Sequence, residues 1–187
     1  MSTNELTYAP QMLDYHSIFE HAPDLYMILS PELIILDCSD NYLKATLTTR
    51  KQVMGRHLFE VFSDNPDDPN ATGVANLKAS LNRVLQNKTV DAMAVQKYDV
   101  RNADGVFEEK SWSPINLPVL DKNGNIAFII HKAEDVTNLL KEKERQIEQT
   151  SLIEDLKEQL KALDIYRRAQ EIQESNNVLR ETVKESS

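Results

Sequence analysis

Apolar side chains recur at two different spacings along the chain, and the change of spacing divides the chain into two parts. Up to about residue 136, short apolar runs alternate with turns that contain Pro, Gly, Asn and Asp. From Asn138 to Ser187 there is no Pro or Gly, and Glu, Lys, Gln and Leu dominate. Turn residues interrupt regular elements, whereas strong helix formers extend them. The pattern predicts a globular part followed by one long helix.

The globular part begins with a helix and a hairpin. Five apolar residues lie at helical spacing between residues 12 and 19, and Pro23 follows them as a stop. Two apolar runs come next, LYMILS and LIILDCS, with only Pro31 and Glu32 between them. Such runs separated by two residues are typical of an antiparallel hairpin. Asp40 follows the second run, and we expect its side chain to cap a short helix, NYLKATL.

Helices fill the middle of the globular part and strands close it. The segment VANLKASLNRVLQN keeps the i, i+3, i+4 spacing of an amphipathic helix. Three strand candidates follow at residues 89–100, 106–120 and 126–136, separated by the turn sequences RNADG and DKNGN. Strands grouped together, with helices between the groups, indicate an α+β fold rather than alternating α/β.

The C-terminal helix carries two apolar stripes at coiled-coil spacing. The first follows a 3-4-3 pattern and consists of Ile153, Leu156, Leu160 and Leu163. The second follows a 4-3-4-3-4 pattern from Ile165 and includes Ile172, Asn176, Leu179 and Val183. The two stripes do not share a register, so we expect either a change of supercoil near Asp164 or a helix end followed by a second helix. Asn176 in a core position favours a parallel, in-register dimer.

Three segments of the globular part, FEHAPDLYMILSPELIILDCSDNYL, MGRHLFEVFSDNPDDPNATGVANLKASLNRVL and FEEKSWSPINLPVLDKNGNIAFIIHKAEDVT, resemble those of PAS domains, the sensor modules of bacterial signalling proteins. The segment YRRAQEIQESNNVLRE is similar to helices that join such domains to a histidine kinase core. The resemblance implies an α+β fold in which a PAS-like five-stranded antiparallel sheet has helices on one face. A long C-terminal coiled-coil helix is expected to follow the sheet.

The resulting organisation is a helical flank at residues 1–18, a PAS sensor domain at 19–137 and a coiled-coil signalling helix at 138–187. The last strand runs into the helix without a Gly, Ser or Pro linker. We therefore predict that Asp135, Val136 and Thr137 form a stiff joint that passes motion of the sheet to the helix. Asp135 or Thr137 is expected to accept hydrogen bonds from the first-turn amides, and capping alone accounts for these residues equally well.

Some PAS domains enclose a ligand, and the resemblance therefore implies a candidate cavity. The residues predicted to line it are Met27, Leu43, His57, Leu58, Phe62, Met93 and Trp112. His57 is the candidate axial ligand for a haem, although a hydrogen-bonding role suits it better. Trp112 and His131 belong to neighbouring strands and face either the cavity or the opposite, dimerisation face. A solid core built from the same apolar residues is the alternative.

Charge and composition narrow the list of partners. Twenty-one basic residues stand against 30 acidic ones, and the resulting formal charge of −9 argues against nucleic acid and anionic lipid. The single cysteine, Cys38, cannot form an internal disulfide, and the N-terminus lacks the features of a signal peptide. We therefore expect a soluble, cytoplasmic chain without a membrane segment.

The chain lacks recognisable motifs for catalysis or metal binding. Its four Gly are too widely spaced to cradle a phosphate, and all four His precede the long helix, where a kinase would carry its phospho-acceptor His. One Cys and four scattered His do not match a zinc site. We predict no enzymatic activity, no catalytic residue, no metal and no cofactor, with an unidentified small molecule as the alternative occupant of the cavity.

These observations predict a sensor or dimerisation module that passes a signal through its coiled-coil helix to a downstream effector, a histidine kinase. The expected partners are a second copy of the chain, paired through the coil with a PAS face as a second contact, and the effector itself. The alternative function is a ligand-free structural dimerisation module, which would only hold two effectors together.

Overall fold

The computed structural model describes residues 13–102 and 104–185, with side chains described as far as Glu181. Residues 1–12, which make up most of the predicted helical flank, and the side chain of Val183 lie outside that description. Contacts divide the chain into two units, Met1–Thr137 and Asn138–Ser187. In the described part of the chain, no helix is both long and apolar enough to span a membrane.

The first unit is an α+β domain. Its helices are α1 (Tyr15–Glu20), α2 (Asp40–Ala45), α3 (Arg50–Val53), α4 (Leu58–Val61) and α5 (Gly73–Asn87). Its strands are β1 (Leu25–Leu29), β2 (Ile35–Cys38), β3 (Asp91–Ala92), β4 (Gln96–Lys97), β5 (Val100–Arg101), β6 (Phe107–Glu108), β7 (Ser111–Trp112), β8 (Ile115–Leu120) and β9 (Ile126–Ala133). The last helix, α6 (Thr137–Glu185), makes up the second unit apart from its first residue and the chain end.

The main sheet has five strands in the order β2-β1-β9-β8-β3, and every neighbouring pair is antiparallel. The predicted hairpin of LYMILS and LIILDCS is confirmed as β1 and β2. Side chains of a strand alternate between the two faces of a sheet. Ile129, His131 and Ala133 of β9 therefore share a face, together with Met27 and Leu29 of β1, and all five are buried.

The predicted strands at residues 89–100 and 106–120 are wrong as continuous elements, because each is divided into three. They still run as one long hairpin, since β3 pairs with β8, β4 with β7 and β5 with β6. The pairs Ala92–Ile115 and Gln96–Trp112 differ in register by one residue. Pro114 lies opposite this shift, where it has no amide to donate but accepts from the amide of Met93 (3.0 Å). The shift interrupts the ladder without ending the pairing.

The core lies between the inner face of the sheet and the helices. Its fully buried apolar members include Met27, Leu29, Ile35, Val53, Leu58, Leu81, Val84 and Ile129. They come from β1, β2, β9 and from α3, α4 and α5, so the core depends on packing α5 and the short helices over the sheet. The amphipathic helix predicted for VANLKASLNRVLQN is confirmed as α5, with Leu81 and Val84 on its buried face.

Ser39, rather than the predicted Asp40, caps α2. Its hydroxyl oxygen accepts from the amides of Tyr42 (3.3 Å) and Tyr26 (3.0 Å), and it donates to the carbonyl of Asp24 (2.9 Å). Asp40 is the first residue of the helix, and its carboxylate pairs with Arg50. Ser39 is fully buried, so one hydroxyl connects the start of α2 to the first strand.

Ser39→Ala should lower the free energy of unfolding by about 2–3 kcal/mol, because two buried amides and one carbonyl lose their partner. Asp14→Ala is the control, since Asp14 caps the exposed helix α1 through one bond to the amide of Ser17 (3.1 Å). That control should cost about 0.5–1 kcal/mol. Urea unfolding of both variants measures the difference. Equal losses would contradict the role assigned to Ser39.

Candidate functional site

A small cavity lies inside the first unit, between the sheet and helices α2, α4 and α5. Its volume is about 60 Å³. The lining residues are Tyr42, Thr46, Leu58, Phe62, Gly73, Leu77, Met93, Gln96, Tyr98, Val100, Trp112, Pro114, His131 and Ala133. An apolar cavity of roughly 150 Å³ holds a benzene molecule, and drug-sized ligands occupy about 300–1,000 Å³. This cavity is therefore suited only to a very small molecule or a few waters.

The structure brings together four of the seven residues predicted to line a cavity. Leu58, Phe62, Met93 and Trp112 line it. Met27 and Leu43 are buried in the core but are not among the lining residues. His57 is half-buried at the start of α4, where its Nδ1 accepts from the amide of Phe59 (3.3 Å).

Two polar residues of the wall are Tyr42, which was not among the residues predicted for the site, and His131, for which the sequence left the cavity face and the opposite face open. Their rings meet edge to face, with centroids 6.0 Å apart, and both are almost fully buried. His131 shares a face of β9 with Ile129, and Ile130 lies on the other face. Both isoleucines are apolar, so the sequence pattern does not show which face is turned inward. Tyr42 lies three residues after Ser39, the N-cap of α2. The sequence predicted the cap at Asp40 and did not predict that Tyr42 points into the domain.

Glycine is required at the first position of α5, beside the cavity. A Cβ on Gly73 would collide with the ring of Tyr98, whose hydroxyl is held by the carbonyl of Ser63 (3.0 Å). The carbonyl of Tyr98 also accepts from Trp112 Nε1 (2.8 Å). Hydrogen bonds to backbone carbonyls thus hold both aromatic side chains, Tyr98 and Trp112, in the cavity wall.

A chain of hydrogen bonds leads from the cavity wall to the surface. His131 Nδ1 lies 2.8 Å from Asn116 Oδ1, and Asn116 Nδ2 lies 2.8 Å from Ser80 Oγ. The Ser80 hydroxyl bonds in turn to the carboxylate of Asp91. Arg83 closes the chain with two bonds to that carboxylate, Nε to Oδ1 at 2.7 Å and Nη2 to Oδ2 at 2.8 Å. His131, Asn116 and Ser80 are buried, so the chain satisfies polar groups inside the core.

The two ends of this hydrogen-bond chain, His131 and Asp91, differ in charge. Burial lowers the pKa of His131 to about 4, so its imidazole is neutral near pH 7. At the surface end, hydrogen bonds from Arg83 and Ser80 hold the pKa of Asp91 below its usual value, and its carboxylate is ionised.

The segment Asp135–Val136–Thr137 is tied to the long hairpin beside the cavity. The backbone of Trp112 bridges to Asp135, and the amide of Val136 donates to the carbonyl of Ser111 (2.9 Å). Thr137 Oγ1 accepts from the amide of Ser111 (2.9 Å) and donates to Asp135 Oδ1 (2.5 Å). Trp112 therefore belongs both to the cavity wall and to the ladder that holds the predicted joint.

Asp135 has three donors around its carboxylate. Oδ1 accepts from the amide and the hydroxyl of Thr137, and Oδ2 accepts from Lys110 Nζ (2.8 Å). Burial raises the pKa of Asp135, but the bonds from Lys110 and Thr137 outweigh burial and lower the pKa. The ionised side chain satisfies the first amide of α6, which has no partner within the helix.

Polar loops next to the cavity form a second, acidic pocket that includes Asp64, Asp68 and Asp99. Asp99 Oδ2 accepts from Asn65 Nδ2 (2.9 Å). Within residues 13–102 and 104–185, no group of three or more His, Cys, Asp or Glu side chains is arranged to hold a metal ion.

Known structures share this arrangement of sheet and helices. The PAS domain of a Colwellia psychrerythraea protein matches with a TM-score of 0.51 at 12% identity, covering 66% of this chain and 95% of that one. The PAS domain of Bordetella pertussis BvgS matches with a TM-score of 0.50 at 18% identity, covering 73% and 95%. A Rhodobacter sphaeroides LOV protein matches with a TM-score of 0.50 at 12% identity, covering 65% and 64%. No curated protein matches the sequence.

The family model described as PAS fold matches residues 19–141, well over half of the chain. The chain belongs to the PAS family. The cavity, the buried polar chain and the segment Asp135–Thr137 therefore all lie in a PAS domain, the sensor domain of signalling proteins. The structural neighbours are less than 25% identical, so they support the fold alone.

Considered by itself, the second unit is one unbroken helix, so the alternative of a helix end near Asp164 is wrong. Asp164 lies within the helix and pairs with Arg167 and Arg168, both at 2.9 Å. The described apolar residues of both predicted stripes are exposed; Leu156 has 49% and Leu160 64% of its surface accessible. Asn176 is exposed as well. This exposure leaves both stripes accessible to a partner.

Lowering the pH should destabilise the PAS domain through His131. The folded protein keeps the ring neutral down to about pH 4, whereas the unfolded chain protonates it below about pH 6.5. The unfolded state then binds more protons, so the free energy of unfolding should fall by about 2 kcal/mol between pH 7 and pH 5. Carboxylates with lowered pKa values, such as Asp91 and Asp135, titrate below this window.

Urea unfolding at pH 7 and pH 5 measures this loss. His131→Gln should remove most of the difference between the two pH values, while His21→Gln, at an exposed position, should retain it. Titration of His131 by NMR in the unmodified protein provides a readout that does not need the variant. A pKa near 6.5 for His131 would show that the ring is not desolvated as described.

Proposed function

We propose that the chain is a PAS sensor and dimerisation module whose helix α6 pairs with a second copy and transmits the state of the PAS domain to a downstream effector, a histidine kinase. The kinase assignment is supported by the resemblance of YRRAQEIQESNNVLRE to kinase linker helices. The chain itself carries no catalytic machinery in this proposal and acts only through the geometry of its helix.

The observation that carries the proposal is the double role of Trp112. Its indole lines the cavity, while its backbone pairs with Asp135, two residues before the first residue of α6. A change in the cavity that moves Trp112 therefore acts on the ladder formed by Ser111, Asp135 and Thr137. Because packed interiors transmit strain, the displacement needs no flexible intermediary.

Helix α6 supports the output step. Its 49 residues span roughly 74 Å at about 1.5 Å per residue, and its exposed apolar stripes have the spacing of a coiled-coil seam. The change of register near Asp164 gives the coil two alternative packings to choose between. A ligand with a roughly 100-fold preference for one state would supply about 2.7 kcal/mol toward that choice.

The second candidate is a structural dimerisation module with no ligand. The small volume of the cavity, about 60 Å³, favours it, because the space is far below that of a drug-sized site. In that case α6 would pair the effectors, and the segment Asp135–Thr137 would only begin the helix.

Cysteine cross-linking along α6 tests pairing. Leu156→Cys lies on the predicted seam, whereas Glu158→Cys lies on the opposite side of the same turn. In a parallel dimer, facing seam positions come within disulfide range, so Leu156→Cys should cross-link roughly tenfold faster than Glu158→Cys. Cys38 can stay in place, because it is buried and burial raises the pKa of its thiol to about 12. Equal rates would rule out the parallel seam.

Transmission is tested by Thr137→Val, which removes the hydroxyl that bonds Ser111 and Asp135. The ratio of cross-linking at Leu156→Cys and Leu179→Cys, on either side of the register change, should differ from that of the parent protein. Thr150→Val is the matched control, because its hydroxyl bonds only to the carbonyl of Gln146 in the same helix (2.8 Å). If Thr137→Val leaves the cross-linking ratio as unchanged as Thr150→Val does, the structural dimerisation module is favoured.

A further inference from the structure

The ion pair at the surface sets the direction of the whole buried hydrogen-bond chain. The ionised carboxylate of Asp91 can only accept, so the Ser80 hydroxyl donates to it. The Ser80 oxygen then accepts from the amide group of Asn116, which leaves Asn116 Oδ1 as an acceptor toward His131. The neutral imidazole must therefore carry its proton on Nδ1. Its Nε2 is left as an acceptor with a free lone pair.

Two polar groups of the cavity wall have no hydrogen-bond partner in the described part of the chain: His131 Nε2 and the hydroxyl of Tyr42. The indole of Trp112 donates to the carbonyl of Tyr98, and the hydroxyl of Tyr98 donates to Ser63. The Thr46 hydroxyl is bonded to the carbonyl of Tyr42. His131 and Tyr42 are both more than nine-tenths buried and line the cavity, so a molecule in the cavity can supply the missing hydrogen bonds.

The wall also restricts the charge and size of an occupant. Among the described residues, no Asp, Glu, Lys or Arg side chain lines the cavity, so an ionised ligand would lose its hydration without a compensating charge. The volume of about 60 Å³ suits an occupant of roughly two or three heavy atoms, by comparison with the 150 Å³ that hold benzene. An amine or a carboxylic acid would be charged near pH 7, whereas an alcohol would not.

We infer that the cavity binds a small neutral alcohol, whose O–H donates to His131 Nε2 and whose oxygen accepts from the hydroxyl of Tyr42. This inference rests on the proposed sensing function and names the ligand class for it. The ligand bonds to a residue of β9, the strand that continues into Asp135. Three heavy atoms limit the dissociation constant to roughly 0.5 mM or weaker.

Ethanol and acetonitrile form a matched pair of probes for the unmodified chain. Each has three heavy atoms, but acetonitrile can only accept a hydrogen bond and cannot donate to Nε2. In protein labelled with ¹⁵N at histidine, ethanol should shift the His131 Nε2 resonance saturably. Acetonitrile should leave that resonance in place and bind about tenfold more weakly, as expected for the loss of one hydrogen bond. Fluorescence of Trp112, the only tryptophan, follows both titrations independently.

Tyr42→Phe should weaken ethanol binding, while Tyr98→Phe should not, because the hydroxyl of Tyr98 is already bonded to Ser63. Three results would each overturn the inference: a protonated Nε2 in the free protein, no saturable shift with ethanol, or equal affinity for both probes. None of these readouts involves α6. Failure to bind with an intact seam preference would therefore refute the ligand assignment alone, and binding without any effect of Thr137→Val would refute transmission.

Discussion

Strand β9 is hydrogen-bonded on both sides, and this double pairing determines where the cavity wall and the segment Asp135–Thr137 lie. Ile129 to Lys132 pair with β1 on one side and with β8 on the other. A slip of one residue would turn His131 from the cavity to the outer face, because strand side chains alternate. The same strand leads within two residues of its end to Asp135. The position of His131 in the cavity wall and that of Asp135 are thus set by the same register of β9, so a shift of one would shift the other.

Several elements could be predicted because their signals are local. The β1–β2 hairpin follows from two apolar runs around Pro31 and Glu32, and α5 follows from its helical spacing. The division of the long hairpin could not be predicted in the same way. Both of its sides read as apolar strands, and the one-residue shift opposite Pro114 depends on how two segments about twenty residues apart align. Register between distant segments is set by the packed sheet and not by either segment alone.

The candidate site shows the same limit. The cavity residues were predicted from their apolar character and their approximate position in the fold. That reasoning gave four residues that line the cavity: Leu58, Phe62, Met93 and Trp112. It also gave Met27 and Leu43, which fill the core around the cavity. Apolar residues that line a cavity and those that fill a core have the same composition. The buried hydrogen-bond chain could not be predicted from the sequence for a different reason. Asn116 and Ser80 are 36 residues apart, and their contact exists only after α5 packs on the sheet.

A cavity this small places a condition on the rest of the molecule. Three heavy atoms can contribute at most about 4.5 kcal/mol of binding free energy, and only the difference between two states of the protein can bias its output. If α6 receives the signal as proposed, its two packings must have similar free energies, because a strong preference for one packing would exceed that difference. In the coiled coil proposed for α6, the change of register between the two apolar stripes near Asp164 would meet this condition, because a packing that fits one stripe does not fit the other. The ion pairs of Asp164 with Arg167 and Arg168 are exposed and contribute little, so they do not override the choice. In the proposed function, a small ligand therefore requires a coil whose two packings differ little in free energy.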